Sequence, residues 1–202
     1  MNRTRVLLLF GGESSEHEVS ISSARNVYAA IDDEKYEVQL CYIDEAGKWW
    51  LIENLAQQID THGAPQLLPA LGSKGFITLP GQLVIQSDVI LPILHGVNGE
   101  DGSVQGLAQL LHIPIVGCGI ASSGIGLNKV LAKQLLDAHH IPIVPYEVHR
   151  SFEPVPEFHK LSMTLGSPIF VKPAHGGSSV GVSKVYNEEE LSDAIELAHQ
   201  QD

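Results

Sequence analysis

Hydrophobic positions in the 202-residue chain fall into two patterns, short unbroken apolar runs and stripes at helical spacing. Residues 6–10 (VLLLF) form the first run and end in Gly11 and Gly12, after which Ile21, Ala24, Tyr28 and Ile31 recur on one side. This predicts a buried strand, a glycine loop and a helix. Residues 36–43 and 48–52 predict two more strands, and residues 89–94 a buried strand entering a second glycine-rich loop. The next helix places Val104, Leu107, Ala108 and Leu111 at i, i+3, i+4 and i+7. Strands alternating with helices predict a parallel sheet with covered faces, hence an α/β fold. Residues 54–82, rich in Gly, Pro and Gln, lack a strong period and read as a variable connection.

The pattern changes near Ser122, which divides the chain into expected domains of residues 1–122 and 123–202. Leu127, Leu131, Leu135 and Ala138 make a helical stripe, and residues 144–148, 169–171 and 180–185 predict strands. The last helix opens on Asn187 as N-cap with Glu190 as its reciprocal partner, and places Leu191, Ala194, Ile195 and Ala198 on its buried face. The sequence reaches Asp202 with no glycine C-cap and no further element. One helix and a few strands hardly close a core, so the second domain is expected to be incomplete.

A hydrophobic content of 44% suits a globular protein with a real core. Twelve basic against 24 acidic residues leave a net charge of −12, which repels a phosphate backbone and argues against nucleic-acid or anionic-membrane partners. An anionic nucleotide would then bind only where lysines and backbone N–H groups gather locally. Cys41 and Cys118 both sit in apolar sequence without metal-ligand spacing, which predicts two reduced, buried thiols and a cytoplasmic protein. The apolar start is too short for a signal peptide, and no segment approaches the roughly 20 residues of a membrane helix.

Three stretches carry chemistry. Residues 11–20 (GGESSEHEVS) follow the first strand, where open parallel sheets bind ligands. They read either as a tight turn with an acidic helix start or as a pocket mouth where Glu16 holds an ammonium group. Residues 95–106 (HGVNGEDGSVQG) hold a flexible loop, with Ser103 as a candidate cap of the next helix. His95 reads as a core histidine or a site residue, and Glu100 and Asp101 as solvated or capping groups. Residues 172–181 (KPAHGGSSVG) put Lys172 at a strand end before a small-residue loop, the combination that phosphate gripping requires. No Gly-Lys-Ser/Thr closes it, so it is not a Walker A loop. Lys129 stands off its apolar stripe, either as a solvated lysine or as a second phosphate contact beside Lys172.

Taken in order, these stretches resemble the D-alanine–D-alanine ligases of the ATP-grasp superfamily, over essentially the whole chain. The resemblance implies a Rossmann-like pre-ATP-grasp domain followed by the first part of an ATP-grasp domain. It implies that Glu16 binds the ammonium of the first D-alanine, with Val19 and His95 lining that subsite. Lys129 and Lys172 would contact ATP phosphates, and Gly177, Ser178 and Ser179 would belong to the loop over the γ-phosphate. Glu16 and Ser178 would also join a hydrogen-bonded catalytic set that a tyrosine from a later loop completes. One departure stands before Lys129, where the family usually has Asp and this chain has Asn128.

The implied reaction joins two D-alanines through an acyl phosphate at the expense of ATP, giving the dipeptide of bacterial cell-wall precursors. Magnesium is the implied metal, with its ligands expected beyond these residues, so the chain alone is expected to be inactive. The family tends towards dimers, which makes a homodimer an expectation. Sister ligases making D-alanyl-D-lactate or D-alanyl-D-serine share the same motifs. A nicotinamide oxidoreductase fails on glycine spacing, and a non-catalytic binding module remains the other alternative.

Overall fold

The computed structural model describes residues 3–177 and 179–201. The chain divides into two compact units, Met1–Gly124 and Ile125–Asp202. No helix among the described residues is long and apolar enough to cross a membrane.

The first unit is a mixed α/β domain around a seven-stranded sheet. Its strands are β1 (Thr4–Gly11), β2 (Tyr36–Ile43), β3 (Trp49–Ile52), β4 (Gln66–Ala70), β5 (Gly75–Leu79), β6 (Val84–Gln86) and β7 (Val89–Pro92), in spatial order β6-β5-β4-β3-β2-β1-β7. Helices α1 (His17–Ala30) and α2 (Ser103–Leu110) complete it. Val6 to Phe10 are all buried because β1 is covered on both faces. Leu7 and Leu9 pack with Val104 and Ala108 of α2, whereas Leu8 and Phe10 pack with Ile21 and Ala24 of α1.

The parallel sheet predicted from the sequence holds at the centre, where β1 pairs in parallel with β2 and β7. The strands from β3 to β6 pair antiparallel. The connections from β2 to β3, β4 to β5 and β5 to β6, residues 44–48, 71–74 and 80–83, are too short for a parallel crossover and permit only hairpin-like returns. The expectation of a variable connection over residues 54–82 is corrected here, because β4 and β5 lie within it. Outward-facing Leu68 and Leu79 blur the inward alternation of Leu67, Phe76 and Thr78 that would have marked them. The expectation of two buried thiols holds only for Cys41, since Cys118 is exposed.

The second unit holds α4 (Lys129–Ala138), α5 (Phe158–Leu165), β8 (Ile169–Val171), β9 (Ser183–Val185) and α6 (Glu188–His199), and α3 (Ile120–Leu127) carries the boundary. β8 and β9 pair antiparallel, and Ile169 and Val185 pack against Leu191, Ala194 and Ile195 of α6 and Phe158 of α5. Asn187 caps α6 by accepting the Glu190 N–H at 3.0 Å, while Glu190 reaches back to the Tyr186 N–H at 2.7 Å. Two expectations are corrected. The stripe from Leu127 to Ala138 is split between α3 and α4 by the capping residue Asn128, and α4 buries no side chain. Residues 144–148 form no strand, as Pro145 removes a ladder donor from the run.

Candidate functional site

β1 continues through α1 on one face of the sheet, and its neighbour β7 through α2 on the other. The carboxyl ends of these two parallel strands therefore border a crevice at a topological switch point, the place where such sheets bind ligands. Gly11 and Gly12 leave β1 there, facing the loop from Leu94 to Gly102 after β7. Gly11 has φ +87°, and a Cβ at this position would strike the Ile43 carbonyl oxygen.

Three serines fasten the loops. Fully buried Ser20 accepts the Gly11 N–H at 2.8 Å and donates to the Ile93 carbonyl. Ser14 Oγ donates to the His95 carbonyl at 2.7 Å and accepts the Glu16 N–H at 3.2 Å. Ser23 Oγ lies 3.4 Å from His95 Nε2. Glu16 is the half-buried N-cap residue of α1, and a Cβ on Gly96 would lie only 3.0 Å from its Oε2, so the glycine lets the carboxylate rest against the second loop. Val19 is exposed one helical turn before Ser23, which places Glu16, Val19 and His95 along one flank of α1.

His17 is buried at the root of the loop, with Nδ1 2.6 Å from the Gly12 carbonyl and Nε2 3.1 Å from the Tyr42 hydroxyl. A carbonyl only accepts, so Nδ1 carries the proton and Tyr42 donates to Nε2. Burial, reinforced by Asp44, Glu45 and Glu18, pushes the Tyr42 hydroxyl above its ordinary value and keeps it a donor. The second loop is closed by Glu100, which accepts the Gly96 N–H at 2.8 Å. Asp101 accepts from the N–H groups of Asn98 at 2.8 Å and Ser103 at 2.9 Å. Burial pushes Asp101 up, but these bonds outweigh it and leave the carboxyl below its usual range. Asp101 thus binds the helix start, correcting the expectation that Ser103 caps it. A pocket of about 190 Å³ between the loops is lined by Gly12, Trp49, Leu94, His95, Asn98 and Leu107, among others. Glu16 and Val19 lie outside that lining.

In the second unit, Lys129 and Lys172 line one pocket of about 190 Å³ together with Gly176, Gly177, Ser179 and Val180. No carboxylate among the described residues lines it, so two lysines and a glycine loop border a common space. Lys129 Nζ donates to the Gly176 carbonyl at 2.7 Å, and Lys172 Nζ sits 5.8 Å from the Phe170 ring centroid. Ser179 occupies the left-handed region at φ +61°. Ser178 lies outside the described residues. The arrangement suits a multiply charged anion such as a polyphosphate.

Residues 5–118 match the family described as D-ala D-ala ligase N-terminus, and residues 135–202 match D-ala D-ala ligase C-terminus. The chain belongs to the D-alanine–D-alanine ligase family. A ligase of this name from a Thermoanaerobacter species is 38% identical over 212 residues, covering 100% of this chain and 59% of the relative. D-alanine–D-alanine ligase A from Brucella suis is 41% identical over 199 residues, covering 96% of this chain and 56% of that enzyme. Among solved structures, the D-alanine–D-alanine ligase from Coxiella burnetii superposes with a TM-score of 0.91 at 31% identity, over 100% of this chain and 60% of that one. The D-Ala:D-Ser ligase from Enterococcus faecalis superposes with a TM-score of 0.86 at 30% identity, over 98% of this chain and 60% of that one. The chain thus spans about 59% of the length of the first of these relatives.

Reasoning from the sequence missed Ser14, Ser20 and His17 as organisers of the ligase-family loops, although all three lie inside the motif at residues 11–20.

Proposed function

We propose that this chain carries the first amino-acid site and the phosphate-gripping site of a cytoplasmic D-alanine–D-alanine ligase. Residues 1–122 would form the amino-acid domain and residues 123–202 the start of the nucleotide domain. The observation that carries this reading is the convergence of Lys129, Lys172 and the glycine loop on one pocket that no carboxylate among the described residues lines, in a chain that matches both parts of the ligase family.

In this reading Glu16 pairs with the ammonium of the first D-alanine, while Val19 and His95 bound the same subsite. The D-alanine carboxylate attacks the γ-phosphorus of ATP, an oxygen–phosphorus bond forms, and the bond to the ADP oxygen breaks. Lys129, Lys172 and the N–H groups of Gly177 and Ser179 offset the charge of the moving phosphoryl group. The second D-alanine amine then attacks the acyl phosphate, and phosphate leaves from the tetrahedral intermediate. Ser178 is assigned to this loop and, with Glu16, to the catalytic hydrogen-bonded set by family resemblance. Magnesium belongs to the family chemistry, but the described residues include no group of three or more His, Cys, Asp or Glu able to hold a metal. The chain alone is expected to bind its ligands without turnover. A homodimer is part of the same proposal.

Calorimetric titration of the 202-residue chain with ATP and with D-alanine tests the reading. Separate saturable binding of each is expected, without dipeptide formation. Failure to bind either ligand overturns the assignment, and ATP-dependent dipeptide formation overturns the expectation of inactivity.

A further inference from the structure

The start of α4 holds three consecutive residues of the glycine loop. The Lys129 N–H donates to the Ala174 carbonyl at 2.9 Å, Asn128 Nδ2 lies 2.7 Å from His175 Nε2, and Lys129 Nζ donates to the Gly176 carbonyl at 2.7 Å. The middle contact has a defined polarity. Asn128 Oδ1 accepts the backbone N–H groups of Val130 at 3.0 Å and Leu131 at 2.9 Å, capping α4. Only an oxygen can accept those two bonds, so the other amide atom is the nitrogen and it donates. His175 Nε2 must then present a lone pair, which places the ring proton on Nδ1.

We propose that Asn128 and His175 form a positioning clamp, with the amide as donor and the Nδ1–H tautomer of His175 as acceptor, that sets the glycine loop against Lys129. An Asp at position 128 would cap α4 equally well, since capping uses only the oxygen. It would have no N–H to give, and would instead require a proton on His175 Nε2. The amide at 128 and the histidine at 175 are therefore a matched pair. The clamp rests on the reading of this loop as a phosphate site only for its consequence. By holding Ala174 to Gly176, it keeps the following N–H groups and the two lysines facing the same pocket.

The test is long-range nitrogen-15 correlation spectroscopy of the histidine rings in the 202-residue chain and in Asn128→Asp, with His175 assigned through His175→Gln. The neutral wild-type ring is expected with its proton on Nδ1, and the Asn128→Asp ring with its proton on Nε2. The same tautomer mixture in both proteins overturns the clamp. Titration with ATP then reads the consequence. His175→Ala, which removes the acceptor and leaves the Asn128 cap of α4 and the charge beside Lys129 in place, is expected to weaken binding several-fold at unchanged melting temperature, and unchanged affinity overturns the positioning role. If wild type binds no ATP while the tautomer switches as expected, the nucleotide reading fails and the clamp stands.

Discussion

Ser20 joins elements that are far apart in sequence, since its hydroxyl accepts the Gly11 N–H at 2.8 Å and donates to the carbonyl of Ile93, 73 residues away. The side chain is fully buried, so water has no access to replace it. Ser20→Ala would leave the buried Gly11 N–H and the partly buried Ile93 carbonyl without this partner, at a cost of about 1–3 kcal/mol for the buried donor. Urea denaturation is expected to show a lowered midpoint with an unchanged slope. A loss below about 0.5 kcal/mol, within the range of a neutral surface change, would mean that the hydroxyl does not fasten the loops.

The two cysteines should separate cleanly by reactivity. Cys41 is buried on β2 between β1 and β3, and burial pushes its thiol well above the ordinary range, whereas Cys118 is exposed. Attack on a disulfide reagent needs an accessible thiolate. Ellman's reagent is expected to titrate one thiol quickly in the native protein and the second only in denaturant. Two thiols reacting together under native conditions would contradict the burial of Cys41.

The central strand was legible because covering both faces of a sheet demands an unbroken apolar run, and residues 6–10 supply one. The position of Lys172 after an apolar strand was legible for a similar local reason. The β4–β6 strands were hidden because Leu68, Leu79 and Val84 face outward, so burial and hydrophobicity do not coincide there. The loop fastenings were out of reach for a different reason. Ser14 meets the carbonyl of a residue 81 positions later, and no local period encodes such a pairing. Likewise Asn128 could be read as a change of charge beside Lys129, but its cap and its bond to His175 require the loop to be folded back onto α4.

Arg5 and Asp88 predict an acid-dependent step in stability. Arg5 gives Asp88 three bonds, from its backbone N–H at 2.8 Å, Nε at 3.1 Å and a terminal nitrogen at 2.8 Å, tying β1 to the start of β7. The guanidinium bond, followed by the backbone N–H, draws the carboxyl down to about 2, against about 3.9 in an unfolded chain. A lowered folded value means that this contribution is complete above about pH 4 and is lost as pH falls towards 2. Asp88→Asn is expected to lower the urea midpoint at pH 6 and to converge with wild type near pH 2. Parallel curves across that window would show that the pair does not set the acid response.

Lys172 offers the sharpest separation of a binding role from a structural one. It lines a pocket with Lys129 that no carboxylate among the described residues lines, and it is not part of the packed cluster formed by Ile169, Val185, Leu191, Ala194 and Ile195. Removing the charge should therefore spare the fold and weaken the hold on a polyphosphate. Lys172→Ala is expected to reduce ATP affinity by roughly tenfold, in line with about 1.4 kcal/mol for one charge-assisted contact, with an unchanged circular dichroism spectrum. Lys172→Arg should recover part of the loss, because the charge returns with different geometry. Lys160→Ala is the control, since Lys160 is exposed and paired with Glu157 on the first turn of α5. Equal affinities for Lys172→Ala and Lys160→Ala would remove Lys172 from the phosphate site.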